Sequence, residues 1–454
     1  MRGCCAGDQP ENRCSGAWRV INGKDDEVQY RDFGSLDFKP SALGFGAMRL
    51  PLLGQRASGD AEGDGHGTGS HSTRPDKVKA SDIDRALATR MLHYAIDHGV
   101  NYVDTAYYYH DGASEPWLGE ALRGGYRERV RLATKLPAWK CEQPADFDRF
   151  LNDQLERLQT DSIDFYLLHS LNKKTWEQVR DLGVLSWAEG ALADGRIKHF
   201  GFSFHDTYAV FREILTASDL WTFCQIQYNY MDEDGDPGRR GLHAAAERGL
   251  GVIVMEPIRG GMLAKRPPRE VQEVWREAEA PGFDGRPRTP AQWALDWVWD
   301  QPEVGLVLSG MSTLEQVEEN VASADRARVG SLTPAEKALI ERARAVYRQL
   351  TPIPCTACKY CLPCSSGVDI PEVLRVYNEA VMYGDLDLSR MYYGWIDEAA
   401  RADRCTACGE CLQKCPQKIA IPDWMVKAAA FFADSAASAV SEPRTAEPTD
   451  EERE

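Results

Sequence analysis

Eight of the thirteen cysteines in this chain fall in two short runs: Cys355, Cys358, Cys361 and Cys364, then Cys405, Cys408, Cys411 and Cys415, the last followed by Pro416. Thiolates repeated at two-residue gaps wrap one corner of a compact inorganic core, and a more distant fourth thiolate closes the shell. The second run reads C-x2-C-x2-C-x3-C-P, a spacing in which the fourth cysteine ligates the neighbouring cluster. Two [4Fe–4S] clusters are therefore predicted. Cys355, Cys358 and Cys361 would hold one together with Cys415; Cys405, Cys408 and Cys411 would hold the other together with Cys364. The first run is one residue shorter before its fourth cysteine than the second. Structural zinc favours paired C-x2-C knuckles about a dozen or more residues apart, and disulfide frameworks belong to small secreted chains. Neither matches.

A second set of reactive side chains lies upstream, where apolar runs end in polar residues. One run ends Val103-Asp104-Thr105-Ala106 and continues into Tyr107, Tyr108 and Tyr109. The next ends Thr134-Lys135, and the run after that ends at His169. Singly, each has an ordinary explanation: an Asp before Thr caps a turn, a strand-end lysine is solvated, and a lone histidine is a hydrogen-bonded core residue. An acid, an amine and an imidazole at matching points of successive runs, with a phenol beside the first, form a proton-transfer group.

The elements that hold these residues are legible from periodicity. Short apolar runs at 42–48, 102–106, 130–136, 163–169, 199–203, 223–228, 251–257 and 305–310 read as parallel strands buried on both faces. Helical patterns such as 85–98, 147–158 and 187–193 separate them, and Gly99 stands at a helix stop. Eight β/α units predict a (β/α)8 TIM barrel, with chemistry at the C-terminal ends of its strands. A doubly wound sheet is the alternative, but no strand leads into G-x-G-x-x-G; Gly44 and Gly46 run into Ala47-Met48-Arg49-Leu50. Barrels bind phosphate with the loops after strands seven and eight, which here contain Arg259, Gly260 and Gly261, then Gly310, Ser312 and Thr313. Ser312 with Glu315 could equally be a capping box.

The predicted layout is a disordered extension at 1–27, a barrel at 28–330 with a flexible Gly/Ser/Asp-rich insertion at 54–78, and a connecting helix at 331–350. A small, mainly helical cysteine domain at 351–430 and a disordered acidic tail at 431–454 complete it. The insertion lacks the Lys-Ser/Thr pair of a phosphate loop. Cys4, Cys5 and Cys14 have no matching ligand set, and Cys141 and Cys224 read as incidental thiols. A net charge of −17 argues against nucleic acid or anionic membrane as partners. No apolar stretch is long enough to span a bilayer, and thiolates kept for clusters point to a reducing cytoplasm.

The motif Asp104-Thr105-Ala106-x-x-Tyr109 with Ser114-Glu115-x-x-Leu118-Gly119-x-Ala121-Leu122 resembles the aldo-keto reductase signature, and the likeness runs from Tyr30-Arg31 to Glu319-Asn320. With the cysteine runs, the chain resembles the branch of that family carrying a C-terminal 4Fe–4S ferredoxin-type domain. The resemblance implies a catalytic tetrad of Asp104, Tyr109, Lys135 and His169, and selects Tyr109 among the three tyrosines. It implies hydride exchange between NADP (or NAD) and a small carbonyl or alcohol, with Tyr109 as acid and base. Lys135 would lower the phenol's pKa, Asp104 would hold the lysine, and His169 would orient the carbonyl. By the same resemblance, Ser203 and Gln225 would hold the nicotinamide carboxamide, with Ser312, Gln316 and Asn320 at the adenosine end. Three departures stand out: Phe204-His205 where the family has Asn after the serine, Met255-Glu256 where it has an aromatic, and no arginine beside Ser312 and Thr313. Trp117, Trp139, Tyr228 and Tyr230 are candidates for the substrate pocket wall.

A hydride is a two-electron unit, whereas a [4Fe–4S] cluster passes single electrons. Either the clusters are accessory to an NAD(P)H-linked reductase, or they exchange electrons with a flavin, a flavoprotein or another redox partner. A third possibility is an electron-transfer or binding module with a residual barrel.

Overall fold

Apolar runs too short for helices become strands because each can bury both faces between a packed interior and a helical layer. The computed structural model describes residues 28–54, 81–235, 237–280, 283, 285–355, 360–415 and 417–433. The predicted N-terminal extension, nearly all of the predicted insertion, the tail from residue 434, and Cys4, Cys5, Cys14, Cys358 and Pro416 lie outside the described residues.

The strands are β1 (Leu43–Gly46), β2 (Tyr102–Asp104), β3 (Arg131–Leu136), β4 (Ile163–Leu171), β5 (Ile197–Phe204), β6 (Trp221–Gln227), β7 (Gly251–Met255) and β8 (Val304–Ser309). They pair in parallel and in chain order, and β8 closes on β1 through Gly44↔Leu308. That pairing makes a closed TIM barrel and rules out the open doubly wound sheet. The outer layer is α1 (Arg85–Asp97), α2 (Ser114–Ala121), α3 (Ala145–Leu158), α4 (Lys173–Asp181), α5 (Val184–Ala193), α6 (Tyr208–Thr216), α7 (Gly238–Glu247), α8 (Arg269–Arg276), α9 (Pro290–Trp299) and α10 (Leu314–Ala324). The helix α11 (Pro334–Gln349) then leads to the cysteine region, capped by Thr333 with Glu336 in a reciprocal box.

Strand periodicity positions the site. Tyr102, Ala133, Phe165, Leu167, Phe223, Ile253, Leu306 and Leu308 fill the barrel interior with Phe33. Side chains two residues apart share a face, so Asp104, Lys135, His169, Gln225 and Met255 follow those residues upward on the same inner face. Ser203 joins the same end of the barrel beside Gln225, its Cα partner on β6. Phe33 plugs the opposite end, where a Cβ on Gly251 or Gly305 would meet its ring at 2.5 Å. These two glycines make room for the plug.

The C-terminal region is helical: α12 (Ile370–Tyr383), α13 (Leu386–Trp395), the short α14 (Glu410–Lys414) and α15 (Ile421–Ala433). Its core holds Ile353, Val368, Val373, Leu374, Tyr392 and Met425 together with Cys361, Cys411 and Cys415. Met262, from the barrel loop after β7, belongs to this second core. The two regions are joined there by ion pairs: Arg259 pairs with Asp232 at 3.1 Å and with the buried Glu379 of α12 at 2.8 Å, and Lys265 pairs with Asp385.

Candidate functional site

At the C-terminal end of β2 and β3, Asp104 and Lys135 are almost wholly buried. Lys135 Nζ donates to Asp104 Oδ1 at 2.5 Å, to the Thr105 carbonyl at 2.7 Å and to the Tyr109 hydroxyl at 3.3 Å. Three acceptors for three ammonium protons satisfy the lysine completely. Burial alone would lower its pKa, but Asp104 and Tyr109 reverse this and raise it, so the site holds a fixed positive charge. Tyr109 follows β2 on a tight turn, its N–H bonded to the Ala106 carbonyl at 3.1 Å. Its ring meets that of His169 edge to face, with centroids 5.8 Å apart. The sequence-predicted tetrad is thus brought together at one mouth.

Burial pushes the Tyr109 phenol above its ordinary value; Lys135 acts on it in the expected direction, downward, but burial outweighs it. At neutral pH Tyr109 is therefore a protonated phenol, a proton donor. Burial, with the neighbouring Lys135 and His205, holds His169 well below the usual imidazole range. A neutral His169, whose buried Nδ1 has no hydrogen-bond partner among the described residues, can donate an N–H to a carbonyl oxygen or accept from an alcohol hydroxyl.

Behind the lysine lies a polar network that sequence reasoning missed. Glu115, fully buried at the start of α2, accepts from Thr134 Oγ1 at 2.6 Å and Gln154 Nε2 at 2.7 Å. Gln154 also donates to the Lys135 carbonyl at 3.1 Å and accepts from the Tyr166 hydroxyl at 2.7 Å. These bonds, with the Arg157 guanidinium 3.5 Å from the second Glu115 oxygen, tie α2 and α3 to the strand that carries the ammonium. The available signal was Glu115 itself, a carboxylate next to Ser114 at the start of a helix whose Trp117, Leu118 and Ala121 are buried.

The candidate pocket wall needs revision. Trp117 is buried in the main core and bonds Thr89, while Tyr228 and Tyr230 are buried beside Trp297. Trp139 stands at the mouth, 37% exposed, with its ring 5.1 Å from His169.

Along the other side of the mouth, Ser203 and Gln225 are buried register partners. Ser203 Oγ accepts from the Ser170 N–H at 2.7 Å, and Gln225 Oε1 is buried without a partner among the described residues. An orphaned amide oxygen facing the mouth suits a ligand carrying an N–H group, such as a carboxamide. Phe204 packs on Phe211 of α6 and supplies no donor. Beyond β8, Asn320 donates to Ser309 Oγ at 3.0 Å, and the Ser312 N–H donates to Gln316 Oε1 at 2.8 Å. The cap of α10 is Thr313, which accepts from the Gln316 N–H at 3.3 Å, so the Ser312–Glu315 capping box does not form. Ser312 Oγ instead donates to the Arg49 carbonyl at 2.8 Å. Gly260 and Gly310 lie on the loops after β7 and β8, while the Arg259 guanidinium is taken up by its two carboxylates.

Cysteines of both runs meet in the C-terminal region. Cys364, Cys405, Cys408 and Cys411 line one cavity with Cys361, Ser365 and Thr406. The first four are the set assigned to the second cluster, the fourth ligand coming from the other run. Burial raises the Cys411 thiol, and Cys405, Cys408 and Cys364 raise it further by their proximity. Among the described residues no three Cys, His, Asp or Glu side chains gather as ligands of a single ion. Of the other set, Cys361 and Cys415 are buried in the second core and Cys355 packs against it.

No helix among the described residues is long and apolar enough to cross a membrane. Residues 354–420 match a 4Fe-4S dicluster domain. Among relatives, the uncharacterized oxidoreductase YqkF of Bacillus subtilis is 26% identical over 265 residues, covering 53% of this chain and 83% of the relative. The probable aldo-keto reductase 1 of Glycine max is 24% identical over 327 residues, covering 65% and 84%. The holo aldo-keto reductase AKR11C1 of Bacillus halodurans superposes with a TM-score of 0.53 at 25% identity, over 70% of this chain and 96% of that one. An aldo-keto reductase of Klebsiella pneumoniae, solved in complex with NADPH, gives 0.50 at 25% identity over 70% and 95%. Residues 65–329, more than half the chain, match the aldo/keto reductase family, and the protein is therefore an oxidoreductase of that family with an accessory 4Fe-4S domain.

Proposed function

We propose that the protein reduces a small carbonyl compound to an alcohol, or runs the reverse reaction, by hydride exchange with NADPH at the barrel mouth. The observation that carries this reading is the Lys135 ammonium, held by Asp104 and the Thr105 carbonyl and donating to the Tyr109 hydroxyl. When bound, the nicotinamide supplies the hydride, and Gln225 and Ser203 are the residues that would hold its carboxamide. Tyr109, protonated at neutral pH, gives a proton to the substrate oxygen as charge develops there, and takes one in the oxidative direction. Lys135 stabilises the phenolate that results, because an adjacent cation favours the charged form. His169, neutral and with a free ring nitrogen, orients the oxygen. Trp139 bounds the substrate side. The preference for NADPH over NADH draws on the NADPH-bound Klebsiella relative.

In this reading the barrel spans 28–330 and the cluster domain 351–430. The cluster domain holds two [4Fe–4S] clusters ligated across the two cysteine runs, and they are accessory to hydride transfer. The shared core at Met262 and the Arg259–Glu379 pair favour a second reading, in which the clusters pass electrons to a flavin or flavoprotein working with the barrel. Tyr109→Phe tests the first. Carbonyl turnover should fall by about 100- to 10,000-fold while NADPH binding and cluster absorbance persist, and full activity in this variant would dismiss the tetrad assignment.

A further inference from the structure

The iron–sulfur domain reaches the barrel mouth with one side chain that the reaction so far leaves unused. Tyr392, on α13, is only 7% exposed, and its hydroxyl has no hydrogen-bond partner among the described residues. That hydroxyl sits directly against Gly260, in the space a side chain at this position would need. Gly260 adopts φ +65 on the loop after β7, so both its backbone and its lack of a Cβ serve this approach.

Arg49 comes to the same place from the opposite side. It follows β1, and its chain passes Gly310 after β8, where a Cβ would meet its Cγ at 3.2 Å. Its guanidinium then reaches Gly260, 3.3 Å from the position a Cβ would take. It forms no ion pair among the described residues, although its field reaches Tyr109, Glu256 and Tyr392. Arg49 therefore spans the two loops with which barrels bind phosphate, and a buried, unpartnered hydroxyl faces it there.

The carboxyls nearby do not fill this position. Asp232 and Glu379 are engaged by Arg259, and Glu379 also by Arg375. Burial raises the Glu256 carboxyl, with Arg49 and Arg375 acting against that rise. Burial also raises Tyr392, keeping its hydroxyl a donor.

We propose that the Tyr392 hydroxyl, carried by the iron–sulfur domain, and the Arg49 guanidinium together bind a phosphate group of the nicotinamide nucleotide over Gly260 and Gly310. This rests on the nucleotide reading above and adds to it a residue from outside the barrel. It also gives the accessory domain a role that needs no electron transfer: a correctly docked cluster domain completes the nucleotide site.

The test is calorimetric titration of the anaerobically purified full chain with NADPH, and separately with inorganic pyrophosphate. Tyr392→Phe keeps the ring and removes the hydroxyl; it should weaken both ligands about tenfold with cluster absorbance unchanged. Arg49→Met should weaken both about tenfold to a hundredfold. NADPH and pyrophosphate affinities within twofold of the parent in Tyr392→Phe would overturn the proposal, and so would tighter binding, which would mean that Tyr392 blocks the site. A variant that keeps its NADPH affinity but shows a raised KM for a carboxylate-bearing aldehyde would also overturn it, by assigning the anion to the substrate. If the parent protein binds no NADPH, the nucleotide reading falls, and pyrophosphate binding that depends on Tyr392 still tests the phosphate pocket.

Discussion

The two reactive regions of this molecule are built on opposite principles. The barrel mouth is complete in the polypeptide alone: Asp104, Lys135, Tyr109 and His169 stand on strand ends or the turn after them, and Lys135 has all three protons satisfied. The cysteine region surrounds a cavity with thiols carried by loops and a short helix, and its core is small. Below about 80 residues a hydrophobic core alone seldom holds a fold, and metal ligation supplies what is missing. The lesson is one of dependence. The tetrad's geometry follows from strand register, whereas the cluster region's geometry follows from what it binds.

The comparison can be broken most sharply at Lys135. Replacing it with Met leaves the Asp104 carboxyl buried without its cation, which costs about 3–5 kcal/mol. Urea unfolding should show that loss together with loss of turnover, while Asp104→Asn/Lys135→Met recovers much of the stability and none of the activity. A single variant with parental stability would contradict the buried-pair account. Tyr109→Phe should lower kcat by about 100- to 10,000-fold with little effect on stability, since it removes one proton donor from an intact mouth.

On the other side, Cys411→Ser should cost about four irons per chain and the lowest-temperature unfolding transition, leaving the barrel transition in place by calorimetry. Simultaneous loss of both transitions would mean that the barrel cannot fold without the clusters. The smallest effect concerns pH. Because Tyr109 is raised above its ordinary value near 10, carbonyl reduction should hold from neutral pH to about 10 and fall only above it. His169, held below the imidazole range, binds fewer protons when folded than when unfolded. Its contribution to stability is therefore present above about pH 6.5 and lost as pH falls below it. A rate profile with a limb near 6.5 would show His169 titrating freely and contradict its desolvation.

Much of this was legible in the sequence because it is periodic or closely spaced. The strands are runs with both faces buried, and the tetrad residues are the first polar groups at their ends. The spacing of the second cysteine set groups Cys364 with Cys405, Cys408 and Cys411, and these four line one cavity. What escaped is contact between residues far apart in the chain. Tyr392 and Arg49 converging on Gly260, or Glu379 pairing with Arg259, leaves no local pattern. The sign of the Tyr109 shift escaped for a different reason: a nearby lysine is visible in the sequence, but the depth of burial opposing it is not. Trp117 on α2, and Tyr228 and Tyr230 after β6, are core and not pocket wall, because an aromatic side chain has the same local pattern in either place.

The central claim is that the barrel transfers a hydride and the clusters are accessory to that step. NADPH deuterated at both C4 positions, incubated anaerobically with the full chain and a panel of aldehydes and ketones in ordinary water, tests it most directly. Mass spectrometry of the alcohol should find one deuterium on the former carbonyl carbon, with cluster absorbance unchanged through turnover. Alcohol free of deuterium, accompanied by bleaching of the clusters, would contradict the account and assign the electrons to the cysteine domain.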